Sequence, residues 1–266
     1  MPAADITPKS LPPPLKWAGG KRWQVPHVEA IWRTHANRRL VEPFCGGLGM
    51  ALGLQPERAL LNDANPHLIN FYRWIADGLR PSIPMRNDEA LFYKHRDRFN
   101  ELVRGGRQGA REAAELFYYM NRTAYNGLCR FNSDGEFNTP FGQYKKINYA
   151  PSFTAYQGMF ASWEFTAGDF SNLRLQADDF VYADPPYDVE FTAYAQGGFT
   201  WDDQVRAAET FAAHPGPVIL VNQRTPRIEA LYRRLGYAVT GLRAPRRISC
   251  NGDRTPAKEI FATRNL

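Results

Sequence analysis

The sequence has few cysteines and no long apolar run. Its three cysteines, Cys45, Cys129 and Cys250, are far apart and odd in number, which disfavours a disulfide framework, and their spacing matches no zinc site. No apolar stretch approaches the roughly 20 residues of a membrane-spanning helix. Residues 1–14 are rich in proline and lack the apolar centre of a signal peptide. We therefore expect a loose tail at residues 1–14, no metal, no membrane association and a cytoplasmic location.

Acidic residues are fewer than basic ones: 27 Asp and Glu against 33 Lys and Arg give a formal net charge of +6. Such an excess favours a polyanionic partner, although many basic proteins bind none. Basic clusters at positions 104–111, 145–146 and 243–254 are interleaved with Tyr, Phe and Asn. This mixture is typical of surfaces that contact both phosphates and bases, but it is equally compatible with a solvated surface.

Short apolar runs alternate with helical stretches over much of the 266 residues. Strands are predicted near 39–44, 59–61, 162–165, 180–183, 218–221, 237–242 and 259–263, with helices after 65, over 200–213 and over 226–235. This alternation predicts a mostly parallel α/β sheet covered on both faces. Residues 81–151 break the pattern with two helical stretches, 88–103 and 109–120, and a polar, aromatic loop, and are interpreted as an insertion.

A strand, a glycine-rich loop and a helical run follow one another from residue 39. The loop Cys45-Gly46-Gly47-Leu48-Gly49 is typical of a nucleotide site at the carboxyl end of a parallel strand. Leu52 stands where the dinucleotide pattern needs its third glycine, which favours an adenosine-bearing cofactor without a pyrophosphate. Asp63, at the tip of the second strand, is placed to accept hydrogen bonds from ribose hydroxyls.

The tetrad Asp184-Pro185-Pro186-Tyr187 comes directly after the apolar run 180–183. The exocyclic amino group of a nucleobase has its lone pair drawn into the ring, so a catalyst must accept its hydrogen bonds and aim the lone pair at an electrophilic methyl. Asp184 and the Pro185 carbonyl supply two acceptors, and two prolines stiffen the turn. Tyr187 offers a face for an extruded base, worth about 1–3 kcal/mol of stacking. The alternative interpretation is a strand ending in a proline-rich turn.

Five segments together resemble the Dam family of DNA adenine methyltransferases, in the same order along the chain: residues 15–21, 41–49, 62–65, 121–146 and the tetrad. The resemblance extends from residue 15 to about residue 262. It implies a Rossmann-like S-adenosylmethionine-dependent methyltransferase sheet with an inserted, mainly helical target-recognition domain. The corresponding domains are a tail at 1–14, a catalytic domain at 15–80 and 152–266, and a DNA-binding insertion at 81–151.

The resemblance also implies roles for individual residues, with Asp184, Pro185, Pro186 and Tyr187 in catalysis. S-adenosylmethionine would be bound by Trp17, Lys21, Glu42, Pro43, Phe44, Gly46, Asp63, Asp169, Phe170 and Asp184. Double-stranded DNA would be contacted by Lys16, Tyr125, Asn126, Leu128, Arg130, Asn132, Pro140 and Tyr144. In relatives the lysine and arginine matching Lys16 and Arg130 contact guanines, and Tyr125 would be a wedge in the base stack.

The implied target is adenine in GATC or a related site, methylated on its exocyclic amino nitrogen by a nucleoid-associated enzyme. We expect a monomer, with a transient dimer on DNA left open. Two alternatives are a methyltransferase that acts on RNA or on a protein glutamine, since both offer planar amino nitrogens, and a catalytically silent DNA-binding protein.

Overall fold

The computed structural model describes residues 11–188, 198–244 and 257–266. Within these ranges the strands are β1 (Leu40–Glu42), β2 (Ala59–Asp63), β3 (Trp163–Ala167), β4 (Phe180–Ala183), β5 (Val218–Gln223), β6 (Ala238–Ala244) and β7 (Ala257–Arg264). The helices there are α1 (Val25–Trp32), α2 (Ala51–Leu54), α3 (Pro66–Ala76), α4 (Glu89–Arg104), α5 (Arg111–Thr123), α6 (Thr154–Phe160), α7 (Trp201–Ala212) and α8 (Pro226–Arg234). The predicted α/β class is confirmed.

The chain forms two compact units. The helical unit takes in Gly46–Gln55, Asn70–Ser162 and the described part of Met1–Val25, and the sheet unit takes in Pro26–Cys45, Pro56–Ile69 and the described part of Trp163–Leu266. The predicted catalytic domain and DNA-binding insertion divide the chain by function, whereas the two units are defined by how the chain packs. The functional division therefore stays a prediction. Among the predicted features, Cys250, the basic positions 246, 247 and 254, and residues 1–10 of the tail lie outside the described residues.

The sheet unit contains one seven-stranded sheet within the described ranges, in the order β3-β2-β1-β4-β5-β7-β6. The neighbours from β3 to β5 pair in parallel, as predicted, whereas β7 runs antiparallel to both β5 and β6. The strand order reverses between β1 and β4. Open α/β sheets bind their ligands at such a reversal, outside the carboxyl ends of the strands.

Continuous apolar strands and capped helices build the core of the sheet unit. Val41, Val181 and Leu220, from β1, β4 and β5, are fully buried in one cluster with Phe211 of α7 and Ile228 of α8. Burying each such side chain contributes about 1.5–3 kcal/mol. Helix α7 begins with the predicted capping box, in which the Thr200 and Asp203 side chains bond to each other's backbone. The core therefore fixes where the ends of β4 and β5 lie.

The helical unit is built around α5, whose residues 113–121 are all buried. The rings of Phe71 and Tyr118 stack at 5.4 Å, and Phe153 meets both of them edge-on. Helices α4 and α5 correspond to the stretches predicted at 88–103 and 109–120, while α1 and α6 were not predicted. None of the helices in the described ranges combines the length and apolarity needed to traverse a lipid bilayer.

Candidate active site and nucleic-acid interface

The parallel strands bring several predicted residues of the sheet unit to one edge, here called the carboxyl edge. Glu42 ends β1, Asp63 ends β2 and Asp184 directly follows β4. Because β7 runs in the opposite direction, its Glu259 pairs with Gln223 at the end of β5 and lies at the same edge. Sequence reasoning missed Glu259, since the direction of a strand cannot be read from its residues.

Carboxylates surround two tyrosines at the carboxyl edge. Burial, together with the negative charges of Asp184, Glu42 and Glu259, raises the pKa of Tyr182 well above its usual value. Burial and the carboxylates of Asp184 and Glu259 likewise raise the pKa of Tyr187. Both phenols therefore stay protonated at neutral pH. The Tyr187 hydroxyl is buried while the residue as a whole is half-buried, so its exposed surface belongs to its other atoms.

A buried asparagine joins the loop after β1 to the loop after β3. Asn62 donates from Nδ2 to the carbonyls of Pro43 and Gly168, each at 3.0 Å. The rings of Phe44 and Phe170 lie 5.2 Å apart between these loops. The structure thus brings Pro43, Phe44 and Phe170 together, and it gives Asn62 a positioning role that its sequence motif alone does not reveal.

Asp169 forms a two-pronged ion pair with Arg206, with N–O distances of 2.7 and 2.8 Å. The guanidinium also lies 4.4 Å from the centre of the Phe170 ring. Hydrogen bonds from Arg206 and Ser171 hold the pKa of Asp169 well below its usual range. Asp169 is therefore a carboxylate at neutral pH, and Arg206 is a neighbour of the predicted cofactor residues that sequence reasoning missed.

In the helical unit, Trp17 packs directly on the glycine-rich loop. A Cβ atom on Gly46 would lie 2.9 Å from Trp17 Nε1, and one on Gly47 would lie 2.8 Å from Trp17 Cβ. Gly46 also has φ +44°, which disfavours other residues. Lys21 is buried and donates from Nζ to the Gly19 carbonyl at 2.8 Å. Three residues that are predicted to bind the cofactor, Trp17, Lys21 and Gly46, therefore lie in closely packed loops.

Lys16 is held by its backbone and by its side chain. The fully buried Asn121 accepts from Lys16 N at 3.0 Å and donates to Lys16 O at 2.8 Å. The Lys16 ammonium lies 4.2 Å from the centre of the Tyr144 ring, a cation–π contact. Partial burial, followed by the charge of Arg122, lowers the pKa of Lys16. Asn121 is a further residue whose role only the structure reveals.

The loop after α5 presents most of the other predicted DNA contacts. Tyr125 is 54% exposed, and Asn126, Arg130 and Pro140 are exposed as well, while Leu128 is half-buried. Such exposed polar and aromatic side chains are available to a nucleic acid.

Asn132, also predicted to contact DNA, is engaged in a turn. Its Oδ1 accepts from the backbone of Asp134 at 3.0 Å and of Glu136 at 2.8 Å. Its amide nitrogen lies 3.2 Å from the Glu136 carboxylate. The Asn132 side chain therefore stabilises the turn that it belongs to.

Residues 17–243 match a protein family described as D12 class N6 adenine-specific DNA methyltransferase. A DNA adenine methylase from Vibrio cholerae is 37% identical over 269 residues, which cover 93% of this chain and 94% of the relative. The DNA adenine methylase of Escherichia coli K12 is 35% identical over 274 residues, 93% of each chain. The retron Ec67 DNA adenine methylase of Escherichia coli is 34% identical, covering 93% of this chain and 90% of the relative.

The chain belongs to the D12 class of adenine-specific DNA methyltransferases. The predicted family and the predicted reaction, methylation of adenine in DNA, are thereby confirmed. As an adenine-specific DNA methyltransferase it is an enzyme with DNA as its substrate, which removes the RNA, protein-glutamine and silent-binder alternatives. Methyltransferases of this class take their methyl group from S-adenosylmethionine.

Proposed function

We propose that this methyltransferase modifies an adenine that has been rotated out of duplex DNA, and that the tetrad holds its amino group. The observation that supports this most is the position of Asp184. It follows β4 immediately beside β1, at the point where the strand order reverses. Ligands of α/β sheets bind at this point, so a catalytic carboxylate is well placed there.

Ten residues are proposed to bind S-adenosylmethionine: Trp17, Lys21, Glu42, Pro43, Phe44, Gly46, Asp63, Asp169, Phe170 and Asp184. Within each unit, the residues suit part of such a cofactor. The half-buried Asp63 offers carboxylate oxygens to ribose hydroxyls, and Trp17 packs so closely on Gly46 that only glycine is accommodated there. When bound, the cofactor supplies a methyl group on a cationic sulfur.

The tetrad residues orient the amino group of the target base. The Asp184 carboxylate and the Pro185 carbonyl accept its two hydrogen bonds, and the ring of Tyr187 packs against the base. Positive charge that develops on the amino nitrogen when it takes the methyl group would be stabilised by the Asp184 carboxylate, and the nitrogen would then lose one proton to water. Neither cysteine of the described residues is used, and burial raises the pKa of both Cys45 and Cys129, which keeps the thiols protonated.

The DNA is proposed to lie against Lys16, Tyr125, Asn126, Leu128, Arg130, Asn132, Pro140 and Tyr144, and the site to be GATC or a related sequence. Tyr125 is exposed enough to wedge into the stack when the base leaves it. Arg130 is exposed and carries the fork of donors that reads a guanine. We further propose that the enzyme works as a monomer in the cytoplasm, on nucleoid DNA.

The decisive experiment compares Asp184→Ala with wild type on duplex DNA with labelled S-adenosylmethionine. Loss of one stabilising group of this kind costs about a hundredfold to a thousandfold in rate, so methylation should fall at least that far. Binding of DNA should persist, and binding of the cofactor should weaken without being lost, because the nine other proposed cofactor residues remain. Asp202→Ala, which removes an exposed carboxylate of the same unit, is the matched control and should remain active. An active Asp184→Ala enzyme would overturn the mechanism.

Single-molecule sequencing of the treated DNA reports the modified base and its sequence context in the same experiment. We expect methylated adenine in GATC or a closely related site. A modified base other than adenine would contradict the proposed function, while another context would correct the proposed site alone.

A further inference from the structure

The tetrad needs support from side chains. Pro185 and Pro186 have no backbone N–H, so neither can donate to a neighbouring strand. Strand β4 ends at Ala183, one residue before the tetrad. Beyond that point the direction of the Pro185 carbonyl depends on what holds the peptide units that follow.

Two buried amides hold those peptide units. Gln204 of α7 donates from Nε2 to the Pro186 carbonyl at 2.7 Å. Asn222 of β5 donates from Nδ2 to Gln204 Oε1 at 2.9 Å, and its Oδ1 accepts from Asp188 N at 3.2 Å. Gln204 is 2% exposed and Asn222 is fully buried. These hydrogen bonds link Pro186 to Asp188 through Gln204 and Asn222, and together with the backbone of Tyr187 they form a closed ring.

The backbone groups at the two ends determine how both amides are oriented. The Pro186 carbonyl is an acceptor, so Gln204 must turn its NH2 group toward it. Asp188 N is a donor, so Asn222 must turn its oxygen toward it. The remaining oxygen of Gln204 and the remaining NH2 group of Asn222 then face each other as acceptor and donor. Every link of the ring is chemically matched.

The far end of the ring is anchored to α8. The Asp188 side chain is almost fully buried and accepts from Arg227 Nε at 2.6 Å and from Thr225 Oγ1 at 3.3 Å. The Arg227 guanidinium in turn lies 4.6 Å from the centre of the Trp201 ring, at the start of α7. The tetrad is thus tied to rigid elements on its exit side as well as to β4.

We propose that Gln204 and Asn222 are positioning residues for methyl transfer: they fix the peptide units on both sides of Tyr187 and thereby aim the Pro185 carbonyl and the Tyr187 ring. This inference rests on the proposed function of the tetrad. Neither amide needs to touch the base or the cofactor. Their loss should affect the chemical step while leaving the binding of DNA and cofactor in place.

The test is a single-turnover measurement with Gln204→Met and Asn222→Leu at saturating DNA and cofactor. A displacement of about 1 Å at a reacting group costs on the order of a hundredfold in rate, and each variant should lose about that much. The double variant should be little slower than either single one, because the two amides act through one ring. Fluorescence of 2-aminopurine placed at the target position, together with dissociation constants for DNA and cofactor, should stay near wild type.

Tyr237→Phe is the matched control, because it removes a buried 2.9 Å hydrogen bond to Ala208 on the same helix α7 without reaching the tetrad. Its single-turnover rate should stay at the wild-type value. If Gln204→Met fails to fold, Gln204→Glu has the same length but, when ionised, cannot donate to Pro186, and the same loss is expected. Wild-type rates in the amide variants, or an equal loss in Tyr237→Phe, would overturn the inference. Asp184→Ala measured in parallel separates that result from a failure of the proposed function, which would appear as an active Asp184→Ala enzyme.

Discussion

Replacing Asn121 by leucine should both destabilise the protein and alter its choice of DNA site. The substitution removes the hydrogen bonds that Asn121 makes to Lys16 N, Lys16 O and Gly127 O, at 3.0, 2.8 and 3.4 Å. A buried backbone group left without its partner costs about 1–3 kcal/mol. Lys16 is only half-buried, so water replaces part of the loss there. We therefore expect a loss of about 3 kcal/mol in the free energy of unfolding.

Asn100 provides an unusually close control. It accepts from Phe137 N at 2.8 Å and donates to Phe137 O at 3.2 Å, the same paired arrangement in the same unit. Asn100→Leu should lose a similar free energy of unfolding, while Lys16 keeps its place. The two variants therefore separate a general loss of stability from the specific release of Lys16.

Two measurements complete the comparison. Thermal unfolding followed by circular dichroism should show Tm lowered by roughly 6–12 °C in both variants, since each kcal/mol corresponds to about 2–4 °C in a protein of this size. Mapping of methylated adenines should show sequence choice relaxed further in Asn121→Leu than in Asn100→Leu, because only the first variant releases Lys16. The reasoning is refuted if Asn121→Leu unfolds like wild type, or if both variants change their methylation pattern in the same way.

Three further predictions concern other described residues. Arg130→Ala should lose preference at one base pair, worth about 1–3 kcal/mol of discrimination, and unchanged methylation maps would remove it from recognition. Gly127→Ala should unfold at lower denaturant concentration, because φ is +66° and the new methyl group would lie 3.0 Å from the Lys16 side chain; an unchanged midpoint would contradict this. Arg206→Met should destabilise the protein at pH 7 by less than about 1 kcal/mol, because the pair with Asp169 is partly exposed. The pair with Arg206 lowers the pKa of Asp169 in the folded state. The stabilisation is therefore complete above the unfolded-state pKa of about 3.9 and should be lost as the pH falls below it. Denaturation curves in which wild type and Arg206→Met differ by the same amount at every pH would argue against the pairing.

The sequence was most informative where the pattern is local. All seven strands of the described residues lie where apolar runs predict them, and the capping box at Thr200 and Asp203 marks the start of α7 correctly. Helices α1 and α6 were missed because they have only 8 and 7 residues, too few for a helical period to stand out. The direction of β7 was not predictable either, since it depends on pairing with distant strands.

The residues of the site also fall into those that the sequence reveals and those that only the fold brings together. The tetrad is contiguous, so its residue types alone predict a reaction on an amino nitrogen. Gln204 and Asn222 lie 18 residues apart in the chain and look like ordinary polar positions. Asn121 is 105 residues from Lys16. Only the folded topology brings these amides to the backbone groups that they hold, so sequence reasoning had no signal for them.

The place of β7 also has a consequence for biosynthesis. It is the last of the described strands to leave the ribosome, yet it is inserted between β5 and β6. Until β7 has emerged, the edges of β5 and β6 with which it pairs remain unpaired. The carboxylate of Glu259 has then not yet reached its place beside Tyr187. A product shortened ahead of β7 would therefore leave the facing edges of β5 and β6 unpaired and would be prone to aggregate.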